Sequence, residues 1–230
     1  MKYIIAALFV ALGLASAGYF IGDGISGRNS NHRSIAVKGL SEREVPASLA
    51  IWTLSYSASG NDLNAVNQAL GQSTTAVTSF LKQQGFDPKE FAVQPPSVHD
   101  HNMDTREKDE QAPRERFSGV QSVLLRTNRV DSIKPARAAS SALVGGGVTL
   151  SAADEPNYIF DKLNDIKPGM IQEATKNAHI AAEQFAKDSM ITLGKLQNAS
   201  QGWFQVENRD AATPERKLVR VVVEVTYEVN

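Results

Sequence analysis

The sequence predicts a mixed fold in which helices lie over a β-sheet, and three stretches carry that prediction. The first is an alanine-rich run from Pro168 to Gly194. Its Ile171, Ala174, Ala178, Ala181, Phe185 and Ser189 recur at steps of three and four, so they share one face of a helix. Gln172, Glu173, Lys176, Asn177, Glu183, Gln184 and Lys187 fall mostly on the other side. Pro168 suits the first turn and Gly194 a C-cap, giving a helix about 37 Å long. A stripe made mostly of alanine lets such a helix lie very close to the sheet it covers. The second stretch is Lys217 to Val229. Val219, Val221, Val223 and Val225 alternate there with Arg220, Val222, Glu224 and Thr226, as in a strand with one wetter face. The third is a pair of strands near the start of the body. In Ser34 to Gly39, Ile35 and Val37 share a face; in Ala47 to Gly60, Trp52, Leu54 and Tyr56 oppose Leu49 and Ile51. The SEREVP segment reads as their connection, and the two strands are expected to pair antiparallel.

The remaining elements follow in order. Asn61-Asp62 offers a cap for a helix whose stripe is Leu63, Val66, Leu70, Val77, Phe80 and Leu81, ending at Gly85. Phe91-Ala92-Val93 opens a strand before Pro95-Pro96. Val98 to Arg116 is the most charged and least apolar segment and reads as a hairpin tip or loop. Phe117 to Thr127 resumes strand character and is expected to return antiparallel to the chain ending at Val98. A second unit starts near Asn128, with a helix interrupted or started around Pro135 and stopped at Gly145 to Gly147. Val148 to Leu150 begins a strand, and Asn157 to Leu163 is its partner or its continuation. Leu196 to Val206 contains a further strand, GWFQV.

At 230 residues the chain can hold one ordinary domain or two small ones. A net charge of −1 removes the electrostatic case for nucleic acid, which needs a basic footprint. The absence of cysteine excludes disulfides, thiolate zinc sites, a thiol nucleophile and a lipidated N-terminal cysteine.

The N-terminus bears on compartment. Lys2 precedes an uncharged apolar run from Tyr3 to Gly22, and roughly 20 such residues span a bilayer core. Ala15-Ser16-Ala17 resembles a secretory cleavage site. The run continues through Tyr19, Phe20 and Ile21, however, which favours an uncleaved anchor and leaves secretion after cleavage as the alternative. Lys2 with the free amine is nearly balanced by Arg28 and Arg33 under the positive-inside rule. Either way the body is expected to cross the inner membrane. Residues 26–33 form a short polar tether.

No constellation qualifies as a catalytic, cofactor or metal site. His99-Asp100-His101, with Asp104 nearby, has metal-ligand chemistry, since histidines at i and i+2 point the same way on a strand. The segment reads as a loop, and His32 and His179 are not placed to complete a site. Gly145-Gly146-Gly147 follows a helix and precedes a strand, the reverse of a phosphate loop. Ser118-Gly119 lies at a strand start and not in a nucleophile elbow. Glu42 and Glu44 read as solvated acids on a turn. Trp52 and Trp203-Phe204 read as core; exposed, they would mark a subunit or ligand surface.

Three stretches resemble the SIMPL-domain family of bacterial envelope proteins. They are IAVKGLSEREVPASLAIWTLSY (Ile35 to Tyr56), FLKQQGFDPKEFAVQPPSV (Phe80 to Val98), and the alanine-rich helix ending ITLGKL with the valine-rich terminal strand. The N-terminal run with GYFIG, and KGLSERE with AIW, look like a membrane-tethered subgroup. The resemblance implies an α+β fold of two small sandwich-like units with mainly antiparallel sheets, preceded by a transmembrane helix. In that scheme residues 1–25 are the anchor or signal segment and 26–33 the linker. Residues 34–127 with 215–230 form the first subdomain, and residues 128–214 the second, inserted before the C-terminal strand. It also implies an envelope location, self-assembly, and a link to envelope or oxidative stress, with no catalytic motif to carry over. The expected protein is therefore non-enzymatic, held at the inner membrane with its body in the periplasm, and homo-oligomeric, with no cofactor, nucleic acid or small-molecule substrate. The alternative is a metal-binding protein or metal-dependent enzyme using His99 and His101.

Overall fold

The computed structural model describes residues 33–103, 115–150 and 155–230, together with Gly13 and Gly18. The anchor expected at Tyr3 to Gly22, the tether ahead of Arg33, and Asp104 lie outside the described residues. Among the described residues no helix is long and apolar enough to cross a membrane. The fold is α+β with antiparallel sheets. It divides into two compact units. The larger comprises Glu42–Met170 and Trp203–Val221; the smaller takes the described part of Met1–Ser41 with Ile171–Gly202 and Val222–Asn230.

The larger unit is built on strand β2 (Leu49–Gly60), whose Ala50, Trp52, Leu54 and Tyr56 are all buried. It pairs antiparallel with β5 (Phe117–Thr127) from Ala50↔Thr127 to Gly60↔Phe117. Short strands β3 (Phe91–Val93) and β4 (Ser97–Asp100) line the far side of β5, both antiparallel, as the sequence predicts for the returning segment. On the other side of β2, β6 (Thr149–Leu150) pairs at Tyr56 and Ser57, and β7 (Asn157–Ile159) pairs at Leu49 to Ile51. The two therefore follow one another along β2 and do not pair with each other; β7 continues β6. Helix α1 (Leu63–Gln83) covers this sheet with Val66, Leu70, Val77, Phe80 and Leu81. Leu63, the first member of the predicted stripe, is exposed instead. The Asp62 carboxylate accepts from Asn64 N and Ala65 N and caps the first turn. Helices α2 (Ile133–Ala139) and α3 (Ser141–Gly145) add Ile133, Ala136 and Leu143 to the core.

The alanine-rich helix, α4, lies in the smaller unit from Ile171 onward, and its range departs from the predicted one. It runs from Leu163 to Asp188, with Pro168 inside it and Gly194 beyond it. Its buried row is Met170, Ala174, Ala178, Ala182 and Ala186, stepping by four throughout. The predicted stripe shares only Ala174 and Ala178; Ala181 is exposed and so is Phe185. A ridge of i±4 residues is a natural packing row, and a phenylalanine in it would hold the backbone away. The close approach is real: a Cβ on Gly39 would lie 1.9 Å from Ala174 O and 2.3 Å from Ala178 N.

Strand β1 (Ser34–Pro46) is longer than expected and includes the predicted SEREVP connection. Beyond Val37 its inner face runs through buried Gly39 and Ser41 and half-buried Arg43 before reaching buried Val45, so the apolar alternation is interrupted there. β1 does not pair with β2. It lies beside β10 (Arg216–Val229), in the order β1-β10-β8, with β8 being Leu193–Gln201; β9 (Gln205–Asn208) also pairs β10. The chain changes sheets at Ala47 and Ser48, whose N–H groups donate to Glu215 O and Ile159 O. β10 meets its prediction, with Val219, Val221, Val223 and Val225 buried and Arg220 and Glu224 exposed. The predicted GWFQV strand is broken instead. Gly202 N donates to Val222 O, and Trp203 and Phe204 leave the ladder before β9 begins.

Candidate functional site

His99 sits on β4 opposite Ser118, and His101 opens a short 3-10 turn at His101–Met103. Their rings meet edge-on with centroids 4.8 Å apart. The acid between them is committed elsewhere. Arg116 grips the Asp100 carboxylate at 2.9 Å through one terminal nitrogen and at 3.2 Å through Nε, with Asn102 N adding a donor. The Arg116 guanidinium thus holds this carboxyl below its usual range. Arg116 also lies over the Phe117 ring at 4.7 Å, and His101 Nε2 meets Ser118 Oγ at 3.0 Å. Among the described residues no group of three His, Cys, Asp or Glu could hold a metal ion.

Glu42 and Glu44 lie on strand β1 and not on a turn, so as i, i+2 residues they project to one side. Glu44 meets Arg209 at 2.8 Å and Arg216 at 3.6 Å, and Glu42 meets Arg220 at 3.5 Å. Arg209 also binds Asp210 at 2.8 Å, and with Thr213 it draws that carboxyl down to about 2. The result is a compensated charge ladder. A general acid would need the opposite shift.

At the glycine run, Gly147 adopts a φ of 87°, a left-handed turn that ends α3. Gly146 N donates to Ala142 O and Leu143 O, Gly147 N to Val144 O, and Val148 N to Leu143 O. Amides engaged in this way cannot cradle a phosphate. A cleft of about 390 Å³ borders the run, lined by Ser57, Ser59, Gln72, Ser73 and Thr149 among others. Its polar groups are hydroxyls, one amide and backbone, and they suit a small neutral polar molecule better than an ion.

Two further polar contacts involve one half-buried acid and one buried lysine. Glu90 accepts from Thr127 Oγ1, Asp87 N and Arg129, the last at 2.7 Å. Burial pushes this carboxyl up, but the three donors together outweigh it and leave it below its ordinary range. Lys217, buried on β10, donates to Asn208 Oδ1, and burial lowers its pKa. Apart from Asp87, three residues before Glu90, the partners are distant or in different strands and leave no local sequence signal.

The aromatics part company. Trp52 is 3% exposed and belongs to the core, whereas Trp203 is 94% exposed. Phe204 is half-buried, with Lys167 Nζ 5.5 Å from its ring centre. The most open backbone surface in the smaller unit is β8. Lys195 to Gln201 are exposed on both faces, and β10 pairs with only one side of the strand.

A family described as "SIMPL: Protein of unknown function (DUF541)" matches residues 35–228. The chain belongs to the SIMPL family. No curated protein matches it. Among solved structures, an uncharacterized conserved protein from Listeria innocua is 13% identical, covers 83% of this chain and 92% of its own, and has a TM-score of 0.22. A structure titled as a hydrolase from Listeria innocua is 12% identical with the same coverage and a TM-score of 0.21. At such scores the likeness carries no argument about this SIMPL domain's architecture or activity.

Proposed function

We propose that this protein is a non-enzymatic SIMPL-domain protein, anchored in the cell inner membrane by its N-terminal run, whose periplasmic body self-associates. Release into the periplasm after cleavage at Ala15 to Ala17 is the alternative form of the same reading. The observation that carries self-association is strand β8. It is nine residues long with one charge, Lys195, exposed on both faces from Lys195 to Gln201, and among the described residues it is paired along one side only. Such an edge is a template for another strand. The exposed indole of Trp203 adds a second adhesive feature. The anchor reading is supported by the length of the apolar run from Tyr3 to Gly22. A role in envelope or oxidative stress rests on the family likeness alone, and survival of a deletion strain under peroxide is its test.

Light scattering of the detergent-solubilised full chain, corrected for bound detergent, should give a multiple of 24.9 kDa. A particle of one chain at every concentration removes the self-association. Ala199→Lys with Gln201→Lys should lower the mass to that of one chain without changing the melting temperature, because both sites are exposed.

A further inference from the structure

One end of the smaller unit gathers three chain features. Arg33, where the described body begins, accepts through its carbonyl from Val229 N at 2.9 Å. Thr192 N and O both pair with Asn230, so the last residue and the turn after α4 lie at this end too. That turn closes with Met190 N donating to Lys187 O and Ile191 N to Ala186 O. Its tip is apolar. Met190 is 94% exposed and Phe185, in the last turn of α4, is 50% exposed.

Phe185 also has a defined direction. Asn177 donates to Leu40 O on edge strand β1, and steps of four carry that flank of α4 from Asn177 through Ala181 to Phe185. His179, meeting Tyr227 OH at 3.1 Å, marks the opposite flank over β10. Phe185 therefore lies on the side of β1, towards the end where Ile35 and Val37 are only half-buried. Met190, meanwhile, holds a left-handed φ of 56°, the one non-glycine residue with positive φ among the described residues. Glycine is the cheap residue for that conformation. A large apolar side chain kept there, in water, is a local cost that points to something the side chain touches.

We propose that this tip, Met190 with Phe185, is a lipid-contact surface that rests on the inner-membrane bilayer. The proposal depends on the anchor reading above. Ten residues lie between Gly22 and Arg33, so however they are arranged the eleven Cα steps join the body to the chain within roughly 38 Å of the bilayer. The end facing that junction is the apolar one. A tether also raises the effective concentration of the membrane, so two or three side chains suffice for contact that a free domain would not hold. The charges around the tip are mixed: Arg33, Lys187 and Lys195 stand beside Asp188 and Glu228. Contact should therefore be apolar and insensitive to salt, unlike polybasic binding to anionic headgroups.

The chain has no cysteine, so single-site labelling is direct. Full-length Met190→Cys, Phe185→Cys and Gln172→Cys would each carry an environment-sensitive dye in zwitterionic phosphatidylcholine vesicles. Gln172 is exposed nearer the start of α4, about 20 Å from Phe185 along the axis. Lipid-borne quenchers should dim the dye at 190 and 185 at least threefold more than at 172, equally in low and high salt. Equal access of an aqueous quencher to all three sites, in chains that float with the vesicles, overturns the tip and leaves the anchor standing. Shielding from both quenchers that disappears when protein is diluted in lipid assigns the tip to a second copy and overturns the lipid contact. Failure to float removes the anchor reading, and the tip proposal with it.

Discussion

Helices α1 and α4 end with the same pair of backbone bonds and differ at one residue. In α1, Gly85 N donates to Lys82 O and Phe86 N to Leu81 O, with Gly85 at φ 84°; in α4, Met190 takes the equivalent place. Met190→Gly should therefore stabilise the smaller unit by up to about 1 kcal/mol, read as a higher urea midpoint. A fall in the midpoint would mean that the methionine side chain packs in the free protein. Acid sensitivity is also set by single residues. Asp210 has its carboxyl lowered from 3.8 to about 2, first by Arg209 and then by Thr213. A depressed carboxyl stabilises the fold above the unfolded value and loses that contribution as pH falls through the folded one. Asp210→Asn should thus lower the urea midpoint at pH 6, with the gap to wild type closing between pH 4 and 2. A constant gap down to pH 2 would locate the effect in something other than ionisation. The sequence marked Gly85 as a helix end because glycine is the expected residue there. It gave no hint of Met190 or Glu90, whose roles depend on a backbone angle and on partners up to 39 positions away.

Among elements, the alanine row of α4 and the glycine of β1 make one fitted contact. Gly39→Ala would place a methyl inside van der Waals distance of two α4 backbone atoms. The expected cost is ~3 kcal/mol, with amide exchange in α4 accelerating first. Unchanged exchange there would show that the helix is free to lift. The contact also explains which elements could be read in advance. β10 and α1 bury valines, leucines and phenylalanine at regular spacing, so their periodicity is visible in composition. The second half of β1 turns Gly39 and Ser41 inward and therefore resembles a connection. The inner face of α4 is hard to read for a related reason. Ala181 and Ala182 are the same residue type, and only the packing distance decides which one is inside.

For the whole chain, the family and the helix-on-sheet class were legible, because both rest on long stretches. Strand pairing was not. β1 and β2 are separated by two residues, which favours a hairpin, yet they belong to different sheets. The candidate surfaces were half legible. Trp52 and Trp203 look alike in local context, and a core reading suits one and fails for the other. The charged pairs Asp100–Arg116 and Glu44–Arg209 show why the acidic clusters offer no chemistry: each acid has its counterion, supplied from 16 and 165 positions away.

The position of β10 sets the order in which the protein can mature. The last fourteen residues before Asn230 form the middle strand between β1 and β8, so the first strand of the body waits for the final one. A chain that stops at Glu215 keeps β1, β8 and the inner row of α4 without their shared neighbour. Such a product should be degraded rapidly by added protease, whereas the finished chain resists. The topology thereby distinguishes the two, since a chain that ends before β10 lacks the middle strand of its sheet.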